Sequence, residues 1–262
     1  FPVGNNSFTI DFKKLKNMIY KDNPKMIIAS QVSNVCGYIL PVEKLAKLAK
    51  KNNCMVLVDG AQGAGLIDID LKNIDYYIWT GHKTLYGPFG IAGFIMDEKA
   101  PKPLPLLHGG TGTVSEKKKM PENVPIKYEA GSVNIAAVAG LNAAIDWLNK
   151  DNTNIYKHEK KLTNKLIDEL NEFIDINLYL PSELKKHIGV IPIKVSGYPP
   201  KEIGKILNDN YNIAVRTGLH CAPKIHELLG TMPEGLVRFS VSYFNTYKEI
   251  EYLKESFEEF LI

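Results

Sequence analysis

Two polar residues stand directly after short apolar runs in the first half of the chain. Asp59 ends the run MVLV and precedes GAQGAG, and Lys83 lies in the loop TGHKTLYGP, residues 80–88, after YYIW. A carboxylate at such a position can make a turn before glycine, or it can pair with a protonated ring nitrogen. A lysine amine can stay exposed on a loop, or it can form a Schiff base with a carbonyl group. The residue types alone leave both alternatives open.

The stretch GHKT resembles the end of a nucleotide-binding P-loop only superficially. His82 separates Gly81 from Lys83, and Tyr76 occupies the position of the upstream glycine, so the spacing excludes a P-loop. Thr80, His82 and the nearby backbone could instead contact a phosphate group beside the lysine.

Cys221 is a candidate nucleophile. It lies in RTGLHCAP with Arg216 and His220 nearby, and both side chains could stabilise a thiolate. Cys36 and Cys54 are interpreted as small buried or turn residues.

The spacing of His220, Cys221 and His226 matches no common zinc pattern, and we predict no metal site. An odd number of scattered cysteines without a C-x-x-C pair favours a reducing compartment, and we expect a cytoplasmic protein.

Arg238 is embedded in the apolar run LVRFSVS. A buried guanidinium requires an anionic partner, which is either a carboxylate elsewhere in the chain or the carboxylate of an amino-acid substrate.

Composition limits the classes of partner. The 32 Lys and Arg against 29 Asp and Glu leave a formal charge of +3, too little to indicate binding to nucleic acid or to a membrane surface. Every apolar run is shorter than the ~18–20 residues of a membrane span. The basic stretch EKKKMPEN is interpreted as a solvated surface turn. A small charged substrate is compatible with all of these features.

The elements that must position these residues alternate along the first half. KMIIAS and CMVLVDG are predicted strands, and PVEKLAKLAKKNN between them is a predicted helix, which together make a βαβ unit. IDYYIW and GIAGFIM are further strands without a comparable helix between them, so one of them need not be a parallel crossover. We predict a mostly parallel, helix-covered sheet.

The second half predicts a smaller α+β lobe. A helical pattern from Ser132 is interrupted at NKDNTN and resumes near Ile155, so we place the boundary between two domains, residues 1–150 and 151–262. Predicted strands lie in IDINLYL, IGVIPIKV, NIAVR and LVRFSVS. Helices are predicted near 201–210 and 246–261, the latter with a capping box of Thr246 and Glu249.

Seven motifs in order, SNVCGYILP, VDGAQGAG, TGHKTLYGPFGIAG, LLHGGTG, YEAGSVN, RTGLHCAP and VRFSVSYFNT, resemble the class V aminotransferase family of pyridoxal 5′-phosphate (PLP) enzymes. The resemblance covers nearly the whole chain and points to the cysteine desulfurases and selenocysteine lyases with a short R-x-G-x-H-C-A loop. It implies the fold type I large domain of PLP-dependent transferases, N-terminally incomplete here, plus a smaller α+β C-terminal domain.

Carried over residue by residue, the resemblance implies a set of cofactor contacts. Lys83 would bind PLP covalently, Asp59 would pair with the pyridine nitrogen, and Gln62 would lie near the ring hydroxyl. Thr80 and His82 would hold the phosphate.

The resemblance also implies substrate contacts. Asn34 would lie beside cofactor and substrate, Arg238 would bind the substrate carboxylate, and Cys221 would accept the sulfur. Ser132, which stands where the family usually has threonine, would reach the phosphate of a neighbouring subunit in a homodimer.

The implied reaction removes sulfur from L-cysteine, giving L-alanine and a persulfide on Cys221 that a sulfur-accepting protein or small thiol collects. Lys83 would remove the Cα proton. A selenocysteine lyase or related PLP lyase is equally compatible with these residues. Because the chain begins at Phe1, where the family pattern has a further N-terminal stretch, the other alternative is an inactive fragment that acts only in binding.

Overall fold

The computed structural model describes residues 8–113, 119–181 and 183–261. The predicted surface turn EKKKMPEN lies partly outside these residues, at 116–118. Within the described ranges, no helix is long and apolar enough to cross a membrane.

The first sheet contains the predicted βαβ unit. Its strands follow the order β1-β2-β3-β4 and are β1 (Met26–Ser30), β2 (Met55–Asp59), β3 (Tyr76–Thr80) and β4 (Ala92–Met96). The first three are parallel, and β4 pairs antiparallel with β3 because loop 81–91 contains no helix that returns the chain. The prediction of a mostly parallel sheet is confirmed.

Two helices belong to this N-terminal lobe. Helix α1 (Phe12–Asp22), which was not predicted, begins where the Asp11 side chain accepts a hydrogen bond from the Lys14 amide at 2.9 Å. Helix α2 (Val42–Lys50) buries Val42, Leu45, Ala46 and Ala49. This apolar stripe packs with strand residues such as Val56 and Val58 in one core.

The second sheet lies in the C-terminal lobe and is antiparallel throughout. Its strands follow the order β5-β6-β8-β7 and are β5 (Ile176–Leu178), β6 (Val190–Val195), β7 (Arg216–Gly218) and β8 (Leu236–Ser240). The strand predicted in NIAVR was wrong for four of its five residues. Residues 212–215 are irregular, and the strand begins at Arg216.

Helix α3 (Ile135–Leu170) runs from one lobe into the other. It consists of two helical segments, as predicted, which meet at a kink where Asp151 leaves helical geometry with φ −154° and ψ 35°. The interrupted pattern at NKDNTN thus marks a kink. The division into domains 1–150 and 151–262 stays a prediction.

Three further helices complete the C-terminal lobe: α4 (Pro200–Tyr211), α5 (Pro223–Leu229) and α6 (Tyr247–Phe260). The predicted capping box of α6 is confirmed, because Thr246 N donates to Glu249 Oε2 at 2.6 Å and Glu249 N donates to Thr246 Oγ1 at 3.4 Å. The core of this lobe lies between the sheet and α3, α4 and α6. Its fully buried residues include Leu162, Ile191, Ile193, Ile203, Leu207 and Phe257.

A short backbone seam joins the two lobes. Ile39 N donates to Lys186 O at 2.9 Å, and Ile188 N donates to Gly37 O at 3.0 Å. Between these bonds lies the fully buried His187, whose Nε2 is 2.9 Å from Val190 O. A Cβ on Gly37 would come within 2.7 Å of that nitrogen, and Gly37 has φ +62°, so only glycine fits at this crossing.

The seam makes stability depend on pH. Burial lowers the pKa of His187 to about 4, whereas an unfolded histidine titrates near ~6.5. Between these values the unfolded chain binds a proton that the folded chain excludes, so stability present above the unfolded pKa is lost as the pH falls. We expect His187 to lower the free energy of unfolding by about 2 kcal/mol between pH 7 and pH 5, measured by urea unfolding.

The matched variants are His187→Gln and, at an exposed position, His108→Gln. The His187 variant should lose that part of the pH dependence, while the His108 variant should behave as wild type. An unchanged difference between pH 7 and pH 5 in His187→Gln would contradict this account.

Candidate functional site

The carboxyl ends of β2 and β3 bring two predicted site residues to one edge of the sheet. Asp59 is the last residue of β2 and Thr80 is the last residue of β3, and the two strands are parallel. Asp59 Oδ1 accepts a hydrogen bond from Ala61 N at 2.9 Å, which orients the carboxylate over the following turn. This edge is where open α/β sheets bind ligands.

The loop that carries Lys83 is fixed at both ends. Gly81 N donates to Ile91 O at 2.9 Å, and Gly87 N donates to Gly81 O at 2.7 Å. The next residue after the lysine, Thr84, donates through Oγ1 to Ala64 O at 2.8 Å and ties the loop to the turn after β2. The Lys83 side chain itself is exposed. A fixed backbone therefore presents a free amine.

Thr80 and His82, the predicted phosphate contacts, lie against each other. Thr80 Oγ1 is 3.2 Å from His82 Nδ1, and the His82 ring stacks on Phe89 with 4.5 Å between ring centroids. The pair presents a hydroxyl and an imidazole at the start of the Lys83 loop.

A cavity of about 270 Å³ lies between the two lobes. Lys83 and Gln62 line it from the N-terminal lobe, and Arg238 of β8 lines it from the C-terminal lobe. Residues more than 150 positions apart in the sequence thus meet in one cleft. Six predicted residues lie outside the lining of this cavity: Asp59, Thr80, His82, Asn34, Cys221 and Ser132.

Arg238 is the cation that the C-terminal lobe contributes to the cleft. Its Nη1 donates to Asn34 O at 2.8 Å, and its Nε is buried without a hydrogen-bond partner among the described residues. Burial, followed by the charge of Arg216, lowers the pKa of the guanidinium. Among the described side chains no carboxylate forms an ion pair with it. A half-buried cation without an anion among the described side chains favours the hypothesis of an external carboxylate.

The turn that carries Cys221 is tied to the same arginine. Asn34 Nδ2 donates to His220 O at 2.7 Å, while the Asn34 carbonyl accepts from Arg238. Cys221 is exposed, whereas Cys36 and Cys54 are buried as predicted. Burial raises the pKa of both of these buried thiols. Only the exposed cysteine has the access that a nucleophile needs.

Ser132 lies apart from this cleft. It is exposed and lines a different cavity, of about 850 Å³, together with residues of β4 such as Phe94 and with Trp79 and Val138. Within one chain the structure therefore does not bring Ser132 to Lys83.

The cleft also contains a pair that sequence reasoning missed. Tyr86 Oη donates to Glu159 Oε1, and Tyr243 N donates to Tyr86 Oη at 3.1 Å, so the Lys83 loop, α3 and the loop after β8 share one polar contact. Burial raises the pKa of Glu159 and of Tyr86. In the sequence Glu159 stands in the charged run KHEKKL and reads as a surface residue.

Among the described residues, no group of three or more His, Cys, Asp or Glu side chains could hold a metal ion. His220 and His226 are buried and approach each other, but they do so through a hydrogen bond of 3.4 Å between ring nitrogens.

Solved structures share the fold of this chain. A cysteine desulfurase from Thermococcus onnurineus NA1, solved in the apo form, superposes with a TM-score of 0.86 at 30% identity and covers 99% of this chain and 65% of its own. A cysteine desulfurase of Escherichia coli superposes with a TM-score of 0.80 at 26% identity, over 94% of this chain and 62% of its own. The fold is that of PLP-dependent transferases of fold type I, as predicted.

Curated sequences give the same family. A probable cysteine desulfurase of Methanothermobacter thermautotrophicus is 32% identical over 246 residues, 91% of this chain and 61% of the relative. A cysteine desulfurase of Salmonella agona is 32% identical over 242 residues, 90% of this chain and 58% of the relative. This chain thus spans about three fifths of their length. The sequence model of aminotransferase class V matches residues 3–253, and the chain belongs to the class V aminotransferase family.

Proposed function

We propose that this chain acts as a PLP-dependent cysteine desulfurase, which removes sulfur from L-cysteine, releases L-alanine and leaves a persulfide on Cys221. One observation carries the proposal: Arg238 has a half-buried guanidinium whose buried Nε is unpaired among the described residues, and it lines the same cavity as Lys83. This geometry suits an amino acid whose carboxylate meets the arginine while its Cα faces the lysine.

The residues fit PLP. The exposed Lys83 amine would hold it covalently, Asp59 would pair with the protonated ring nitrogen, and Gln62, which lines the cavity, would contact the ring hydroxyl. Thr80 and His82, 3.2 Å apart, would bind the phosphate. When bound, the cofactor supplies a conjugated ring that stabilises negative charge at the substrate Cα.

Residues of the chain would orient the substrate and move its proton. Arg238 and Asn34, already in contact at 2.8 Å, would orient the substrate carboxylate. The freed Lys83 amine would take the Cα proton, because its loop holds it at the cleft.

The sulfur transfer balances without an external oxidant. The Cys221 thiolate attacks the substrate sulfur, a sulfur–sulfur bond forms, and the bond between sulfur and Cβ breaks. The electron pair of the broken bond stays with the substrate carbon skeleton, and Cβ gains a proton to give alanine. The exposed position of Cys221 leaves the persulfide accessible to an acceptor protein or small thiol.

We propose a homodimer in which Ser132 acts across the interface. Its distance from the cleft within one chain and its exposed position support this role. We also propose a cytoplasmic location, because an exposed free thiol persists best in a reducing compartment.

The first test concerns Lys83. The wild-type chain mixed with PLP should gain a visible absorption band, and reduction with borohydride should leave the cofactor mass on the peptide that contains Lys83. Lys83→Ala should lose both signals, whereas the exposed control Lys72→Ala should keep them. A wild-type chain that stays colourless with saturating PLP would favour the alternative of a fragment that acts only in binding.

The second test concerns Cys221. Cys221→Ser should keep the PLP absorption and lose persulfide formation from cysteine, because serine cannot accept the sulfur. Mass spectrometry of the peptide should find one added sulfur atom in wild type and none in the variant. The control Cys54→Ala changes a buried thiol and should keep the persulfide. Undiminished desulfuration in Cys221→Ser would remove this residue from the proposed reaction.

The third test concerns Arg238. Arg238→Lys keeps the charge but loses the paired donors, and we expect KM for cysteine to rise about 10- to 100-fold, the effect of one lost charge-assisted hydrogen bond. Steady-state kinetics with cysteine and with selenocysteine should show the same loss, because both substrates have the same carboxylate. Their kcat/KM ratio in wild type separates a desulfurase from a selenocysteine lyase. An unchanged KM in a folded variant would overturn the assignment of Arg238.

A further inference from the structure

The turn that presents Cys221 is backbone-strained. His220 has φ 51° and Cys221 has φ 58°, so two consecutive non-glycine residues occupy the left-handed region. In this region the Cβ atom of a non-glycine residue approaches the following carbonyl oxygen, so the conformation is disfavoured relative to ordinary backbone. Surrounding contacts must therefore hold this conformation.

A chain of buried side chains meets the turn from α5. His220 Nε2 is 3.3 Å from Arg216 O, and His220 Nδ1 is 3.4 Å from His226 Nε2. His226 Nδ1 is 2.8 Å from Thr231 Oγ1. The two imidazoles lie within 29° of parallel, with 5.5 Å between their centroids. His220, His226 and Thr231 are all buried.

The hydrogen bonds from Thr231 through His226 and His220 to the Arg216 carbonyl can all point in only one direction. The Arg216 carbonyl only accepts, so His220 Nε2 carries the hydrogen and His220 Nδ1 is an acceptor. His226 Nε2 must then donate, and His226 Nδ1 must accept from the Thr231 hydroxyl. The other acceptor near that hydroxyl, His226 O, lies farther away at 3.5 Å. Every member of the chain thus has a defined tautomer or rotamer.

The turn is also held from the opposite side. Asn34 Nδ2 donates to His220 O at 2.7 Å, and Arg238 holds Asn34. His220 is therefore fixed through its ring by α5 and through its carbonyl by the substrate-side residues. Loss of either anchor leaves the strained backbone of His220 and Cys221 with less support.

We propose that His226 and Thr231 are positioning residues that act through His220 to hold the strained turn that presents Cys221. The assignment rests on the proposed role of Cys221 as sulfur acceptor for its functional consequence. The hydrogen-bonded chain itself is independent of that role.

The test compares Thr231→Val, which removes the hydroxyl at nearly constant volume, with Thr231→Ser, which keeps it. Nitrogen-15 NMR of labelled histidines should find the Nε2–H tautomer at both His220 and His226 in wild type and in Thr231→Ser. In Thr231→Val, His226 should keep the Nε2–H tautomer, because His220 Nδ1 still accepts from it, but His226 Nδ1 loses the Thr231 hydroxyl as donor and its nitrogen-15 signal should shift from the wild-type position. A role limited to packing would leave this signal unchanged, since valine fills the same space.

A second readout follows the turn itself. Hydrogen exchange of the amides in residues 216–222 should accelerate roughly 3- to 10-fold in Thr231→Val, the range for one lost hydrogen bond, and should return to wild-type rates in Thr231→Ser. Persulfide formation on Cys221 should slow in Thr231→Val while the PLP absorption persists. His226→Gln should give the same exchange pattern and serves if the valine variant is unfolded.

Two results would overturn the proposal: an Nδ1–H tautomer at His226 in wild type, or exchange rates near Cys221 that do not respond to either variant. The wild-type tautomer measurement needs no variant to fold. Failure of the proposed function would be seen in a different measurement. A wild-type protein that forms no persulfide would still give the expected tautomers and exchange rates if His226 and Thr231 hold His220 as proposed.

Discussion

A half-buried guanidinium joins the two halves of this molecule. Arg238 lies on the C-terminal sheet and donates to the Asn34 carbonyl of the N-terminal lobe, while its Nε stays buried and unpaired among the described residues. A charge partly removed from water requires compensation, and a single neutral carbonyl supplies only part of it. The position of this partly compensated charge depends on how the lobes meet.

The lobes meet through a backbone seam that also shapes the site. The pairing of Gly37 and Ile39 with residues 186–188 crosses directly over the buried His187, at a position where only glycine fits. The same short segment of the N-terminal lobe contains Asn34, which contacts both Arg238 and the Cys221 turn. One segment, residues 34–39, thus makes the contacts between the lobes and the contacts to Arg238 and the Cys221 turn. Asn34 connects the seam to the Cys221 turn over a few residues.

Local patterns account for what could be predicted. The alternation of apolar runs with an amphipathic helix predicted the parallel sheet, and Thr246 with Glu249 predicted the start of α6, because both signals act within a few residues. The kink at Asp151 was visible only as an interrupted pattern, since sequence spacing does not distinguish a kink from a loop. Strand β7 begins at Arg216, later than predicted, because the neighbouring strand β8 rather than local propensity sets its pairing.

The sequence by itself determined the family and the chemical types at the site, because seven ordered motifs carry Lys83, Asp59, Arg238 and Cys221 with their neighbours. Only the tertiary structure decided which of them meet. It brought Arg238 to Lys83, kept Ser132 apart and revealed Glu159 as a buried carboxylate in the cleft. It also showed that His226 is a hydrogen-bonding partner of His220. The physical reason is that burial and hydrogen-bond direction are properties of three-dimensional neighbours, which a linear spacing does not encode.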